Sequence, residues 1–407
     1  MLDLGRNRPF TTKTVRFESG ERFVMAVDID GVPVDWPAVY ASVSLRGRGL
    51  MLSTMRKEMD AICLLLNWCA VRRIPLEQRI ESLNLFSLPE IEALRVAFRA
   101  DLRTARKRAN GDKSKDLPEV VGNGHWRNRL QACADYLVWR VNDVILRLDI
   151  RDPRRLEARL MVDKLHEWIV GDIPVYENDL LEGLSEEQRE ILVRAITVGD
   201  PSNPFKPRNQ MRNEALWLLY IDGGLRRSEP LVIKTRDVRL GGNDPGLTVH
   251  RTADDPKDTR AQQPVTKTKA HPVEFTDRLH DALDAYIVGD RRTYENAKTS
   301  PFLFLSQQGK PLSIGAVDAM CLELRKVPGL PADFSTHVNR RTWNDKLGEA
   351  AEEIKIAPEV EKQVRNHAMG WTRQSDQGAR YGRRRIRKRV AMILDVMQDK
   401  LTKGEAE

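Results

Sequence analysis

Apolar side chains recur at helical intervals through the first 170 residues. Met55, Met59, Ile62, Leu66 and Cys69 fall at steps of four and three, the stripe of an amphipathic helix, and Pro75 lies just beyond it. The same periodicity predicts helices at 88–108, 125–148 and 155–169. Ahead of them, residues 14–17 and 22–27 alternate around Ser19-Gly20, the pattern of a small hairpin. The chain is thus expected to open with an N-terminal segment at 1–35, followed by a compact helical domain at 36–169.

The run VGDIPVYENDLLEGL at 170–184 breaks the periodicity with Pro174, two glycines and four acidic residues, and reads as a linker. Ser185, with Gln188 three residues on, is a capping box that opens a second region at 185–407. Helices are expected there at 186–197 and 208–222. Strand-like stretches at 247–252 and 265–275, bridged by a polar loop, predict a hairpin, and further helices follow. The fold class is mainly α with a small β-sheet.

A length of 407 residues fits two or three domains, and 41% hydrophobic with 31% charged residues is a globular composition. No stretch approaches the roughly 20 consecutive apolar residues of a membrane helix, and MLDLGRNRPF lacks the apolar centre of a secretion signal, so a cytoplasmic protein is expected. Cys63, Cys69, Cys133 and Cys321 show neither CxxC pairing nor histidines at zinc spacing, and read as core thiols. The net charge of +8 favours a polyanionic partner.

The common phosphate and metal motifs, GxxxxGK[ST] and HExxH, are missing from the sequence. Asp254-Asp255 and the Asp28/Asp30 pair read as loop and turn acids, without a further ligand set. Four other segments carry chemistry: Gly224-Leu-Arg226-Arg-Ser-Glu229, Thr266-Lys267-Thr-Lys269 on the second strand of the expected hairpin, His337-Val-Asn-Arg340, and Met369-Gly-Trp371 followed by Tyr381. A new helix is expected near Ser228.

In that order these segments resemble the tyrosine recombinase, or phage integrase, family: GLRxSE, a hairpin lysine, HxxR, a Gly-His or Gly-Trp pair, then a nucleophilic tyrosine. The resemblance implies a two-domain DNA clamp, with a helical core-binding domain ahead of an α+β catalytic domain that ends in a C-terminal helix. It implies site-specific cleavage and rejoining of duplex DNA through a 3′-phosphotyrosine, with no cofactor or metal, since two guanidiniums neutralise the transition state, and no ATP, because one phosphodiester is exchanged for another. The implied partners are recombination core sites in duplex DNA, further copies in a homo-tetramer, and related recombinases or accessory DNA-bending proteins. Such a protein would be nucleoid-associated.

Each residue type suits its implied role. Arg226 and Arg340 present charged donor forks to the phosphate oxygens of a five-coordinate transition state. Lys267 is the general acid for the departing 5′ oxygen, with Lys269 the fallback. His337 shares a helical face with Arg340 and serves the phosphate or the tyrosine's proton. Trp371 stands where most members carry histidine and offers an indole N–H; His367 is the competing choice. Tyr381 follows His337 and Arg340, as none of the other tyrosines does. Glu229 is placed to orient Arg226.

Two basic stretches are candidate DNA surfaces: residues 380–389 around Tyr381, and Arg103, Arg106, Lys107, Arg108, Lys113 and Lys115. Ile386, Val390, Ile393, Leu394, Met397 and Leu401 form an apolar stripe, open either to packing on the chain's own core or to docking on a neighbouring copy. Rival readings are a type IB topoisomerase, a telomere resolvase, and an inactive DNA-binding regulator.

Overall fold

The computed structural model describes residues 8–102, 104, 119–174, 182–380, 387, 390, 393 and 394. The chain divides into two compact units, the first ending at Glu177 and the second beginning at Asn178. Among the described residues helices dominate both, and each carries one small antiparallel sheet.

In the first unit, β1 (Thr11–Arg16) and β2 (Arg22–Val27) pair in register from Thr11↔Val27 to Arg16↔Arg22. The hairpin packs into the same core as the helices: Val24 and Ala26 are fully buried there, and Asn67 exchanges two hydrogen bonds with the backbone of Phe10, at 3.0 and 2.9 Å. Residues 8–35 are therefore built into this unit.

α1 (Asp35–Tyr40) leads to α2 (Leu52–Arg72), on which Met55, Met59, Ile62, Leu66 and Cys69 are all buried. Such side chains contribute about 1.5–3 kcal/mol each when fully removed from water. α3 (Leu76–Glu81) and α4 (Leu88–Arg99) follow, then α5 (Asn123–Arg147) and α6 (Arg154–Val170). The helix expected over 88–108 stops at Arg99. There Ala100 bridges to Val120, and the backbones of Arg99 and Asp101 bond to Val121 and Glu119 in place of a further helical turn. Arg140 of α5 is buried, 3.5 Å from the Trp36 ring centroid and paired with Glu77 at 2.8 Å. Burial pushes the thiols of Cys63 and Cys69 up to about 11 and about 12.

The second unit opens on the Ser185 capping box and α7 (Glu186–Ile196), where the Gln188 backbone N–H donates to Ser185 Oγ at 3.1 Å. α8 (Pro207–Ile221) is buried along Ala215–Tyr220 and forms the centre of this core. The sheet runs β3 (Val238–Arg239), β4 (Gly246–Val249), β5 (His271–Glu274), all antiparallel. Then come α9 (Asp277–Asp284), α10 (Ile314–Leu324), α11 (Thr336–Glu353) and α12 (Pro358–Ala368). Among the described residues no helix is long and apolar enough to cross a membrane.

Candidate active site

α8 ends in a turn that favours glycine for both backbone and space. Gly224 has φ +58°, and a Cβ there would lie 2.6 Å from the Trp343 ring and 2.8 Å from Met369 Cε. Two side chains of α11 take the carbonyls this turn frees: Trp343 Nε1 donates to Asp222 O and Arg340 Nη1 to Gly224 O, both at 2.7 Å. The buried stretch of α8 thus delivers Arg226 beside Arg340. Past Arg226 the chain makes a single 3-10 turn at Pro230–Val232 rather than the helix expected near Ser228, because Ser228 Oγ is spent on the Val265 carbonyl at 2.8 Å.

Glu229 organises the arginines. It is fully buried; its carboxylate accepts from the Arg226 backbone N–H at 2.6 Å and from Arg226 Nη1 at 2.9 Å, and lies 3.8 Å from Arg340 Nη1. Thr268 Oγ1 donates to the same carboxylate at 3.2 Å. Two guanidiniums on one carboxylate leave local positive charge, while the ion pairing and hydrogen bonds offset the cost of burying the anion.

Lys267 is not on a strand. The expected strand at 265–275 is confined to His271–Glu274, and Lys267 lies in the loop before it. The backbone of this loop bonds to other partners than a ladder: the Val265 carbonyl to Ser228, and the Lys269 N–H to the Gly370 carbonyl at 3.1 Å. Thr266 and Thr268 are buried, while Lys267 and Lys269 between and beyond them are exposed.

His337 sits on the first turn of α11, open to solvent. Partial desolvation, then the charges of Arg341, Arg227, Arg340 and Arg226, hold its imidazole below the ordinary 6.5. Neutral imidazole can accept a proton.

α12 fixes the last described part of the site. Arg365 Nη1 donates to the Asn344 carbonyl and Oδ1 at 2.7 and 2.9 Å, joining α12 to α11. Asn366 straps the following turn, donating to the carbonyls of Arg373 and Ser375, and its own carbonyl accepts from the Trp371 N–H at 2.8 Å. Trp371 is thereby held with its ring centroid 5.5 Å from the Arg340 guanidinium carbon. His367 is exposed on α12.

Arg226 and Arg340 therefore meet at Glu229, Trp371 lies against Arg340, His337 feels the charges of both arginines, and the lysine loop is tied to the same cluster through Thr268. Tyr381 and the other residues of 381–386, 388 and 389 lie outside the described residues, as do the six basic residues of the first unit's candidate surface. The sequence reading missed His271, buried at the start of β5 against Gly370. A histidine opening a strand gives no sequence signal of that contact.

Residues 185–369 match the family model described as the phage integrase family, a span that holds Arg226, Lys267, His337 and Arg340. The chain is 26% identical over 203 residues to the tyrosine recombinase XerD of Corynebacterium glutamicum. That alignment covers 49% of this chain and 60% of the relative's length. Among solved structures it resembles the Tn1549 transposon integrase in complex with transposon right end DNA, at 16% identity, TM-score 0.49, and coverage of 81% of this chain and 90% of that one. It also resembles the XerH site-specific recombinase bound to a palindromic difH substrate, at 14% identity, TM-score 0.44, and coverage of 85% and 87%. Over residues 185–369 the second unit of this chain thus carries the match to the phage integrase family.

Proposed function

We propose that this chain is a site-specific tyrosine recombinase that cleaves and rejoins duplex DNA. The observation that carries the reading is the pair of guanidiniums, Arg226 and Arg340, converging on the buried Glu229 carboxylate. One carboxylate does not neutralise two cations, and the remaining charge suits a phosphodiester whose oxygens gain negative character during attack.

In the proposed step the Tyr381 oxygen forms a bond to phosphorus as the bond from phosphorus to the 5′ oxygen breaks. The phenolic proton passes to neutral His337, and Lys267 gives a proton to the departing oxygen. The Trp371 indole supports Arg340 from below. Attack by a 5′ hydroxyl on the phosphotyrosine reverses every bond change, so the energy of the original linkage is kept.

The helical region at 36–169 is proposed to be the core-binding domain, joined through 170–184 to the catalytic domain at 185–407. Assembly into a tetramer on DNA is supported by Val390, Ile393 and Leu394, each about half exposed at helical spacing. A duplex selected by the full-length protein from a random-sequence pool, nicked near its cleavage site so that a short fragment escapes, tests the reading. Accumulation of a protein–DNA adduct resistant to denaturant is expected; binding without any adduct would instead favour an inactive regulator.

A further inference from the structure

We propose that His271 is a positioning residue that locks the lysine-bearing loop onto the Gly370-Trp371 turn. The inference rests on the recombinase reading, in which Lys267 delivers a proton to the leaving oxygen.

Three groups meet within hydrogen-bonding range. His271 Nδ1 lies 3.1 Å from the Lys269 carbonyl, and the Lys269 N–H donates to the Gly370 carbonyl at 3.1 Å. A Cβ on Gly370 would stand 2.5 Å from His271 Nδ1 and 2.9 Å from the Lys269 carbonyl oxygen, so the fit requires glycine there for space as well as for its φ of +63°. Trp371 is the next residue, and its ring faces Arg340.

The partner fixes the tautomer. A carbonyl only accepts, so Nδ1 carries the proton and Nε2 is left as a bare lone pair. His271 is 2% exposed, and Nε2 has no hydrogen-bond partner among the described residues. A second proton there would create a buried, unpaired N–H close to like charges. Burial, with the charges of Arg340 and Arg226, opposes it, while the Lys269 carbonyl and Glu229 favour it; the net effect holds the group below 6.5. The imidazole stays neutral, and its one proton holds the carbonyl two residues beyond Lys267.

The loop between β4 and β5 is anchored on both sides of Lys267: at Val265 by Ser228, and at Thr268 and Lys269 by Glu229 and Gly370. His271 closes the second anchor. Without its donor, Lys269 and Gly370 lose their common brace, and the Lys267 ammonium loses its fixed approach.

The test uses the full-length protein on a nicked duplex selected from a random pool, built with either the ordinary phosphodiester or a 5′-bridging phosphorothiolate at the mapped cleavage position. A sulfur leaving group departs without a proton, so it bypasses the lysine. His271→Phe is expected to slow adduct formation at least tenfold on the phosphodiester, within the ~10²- to 10⁴-fold worth of general acid catalysis, yet stay within about threefold of wild type on the phosphorothiolate. His271→Asn, which keeps a donor near the Nδ1 position, is expected to stay within about threefold on both. Equal losses on the two substrates, or no loss, would overturn the proposal. Nitrogen-15 spectra of histidine-labelled wild-type protein give a second measurement: His271 is expected as the Nδ1–H tautomer, and the Nε2–H tautomer would also overturn it. If wild-type protein forms no adduct on either substrate, the recombinase reading fails, and the spectra still decide the local brace.

Discussion

Arg340 donates to the carbonyl of Gly224 at 2.7 Å, joining two segments 116 positions apart in the chain. The same guanidinium lies 3.8 Å from Glu229 and over the Trp371 ring, so one buried side chain registers three of the four segments that carry chemistry. Arg340→Lys keeps a charge but loses the planar fork. We expect adduct formation to fall about 10²- to 10³-fold, the scale of one lost charge-stabilising donor, with DNA affinity in a gel-shift assay within about fivefold of wild type.

Glu229→Gln places an amide N–H against the donors of Arg226. The carboxylate now receives both the backbone N–H and Nη1 of that residue, and the substitution can satisfy only part of this. Urea unfolding is expected to show a loss of about 3–5 kcal/mol, the scale for breaking a buried pair. A loss under about 0.5 kcal/mol, the range of an ordinary surface substitution, would contradict the organising role given to Glu229.

Gly224→Ala meets both a left-handed backbone and the Trp343 ring 2.6 Å from the new methyl carbon. We expect a destabilisation of about 1–3 kcal/mol from overpacking and backbone strain together, measured as a lower urea midpoint with unchanged slope.

Below the ordinary 6.5, the lowered pKa of His337 sets the direction of two pH effects. The unfolded chain takes up this proton before the folded one does, so the group's contribution to stability is complete above about 6.5 and is lost as pH falls from there through the folded-state pKa. Protonated imidazole cannot accept the tyrosine's proton, so the rate of adduct formation at subsaturating DNA falls on the acid side, with a midpoint expected below about 6.5. An acid midpoint clearly above that value would contradict the assignment of the base.

Much of this was legible in the sequence because local signals and burial agree. The Met55-to-Cys69 stripe is the buried face of α2, and Ser185 with Gln188 forms the capping box that starts α7. Residues 265–270 misled the pattern reading: Thr266 and Thr268 alternate with lysines as a strand would, but Thr268 bonds to Glu229 and the Lys269 backbone to the Gly370 turn, contacts made far away in sequence. The end of α4 at Arg99 was hidden for the same reason, since Val120 supplies the bridge. His271 became visible only once Gly370 was seen beside it.

The most direct test of the central claim is adduct formation by wild type and Tyr381→Phe on the same nicked duplex, read on a denaturing gel with the modified residue identified by peptide mapping. Wild type is expected to accumulate a 3′-linked adduct on Tyr381, and the variant to bind the duplex with unchanged affinity and form none. An adduct persisting in Tyr381→Phe, or mapping to another residue in wild type, would contradict the account.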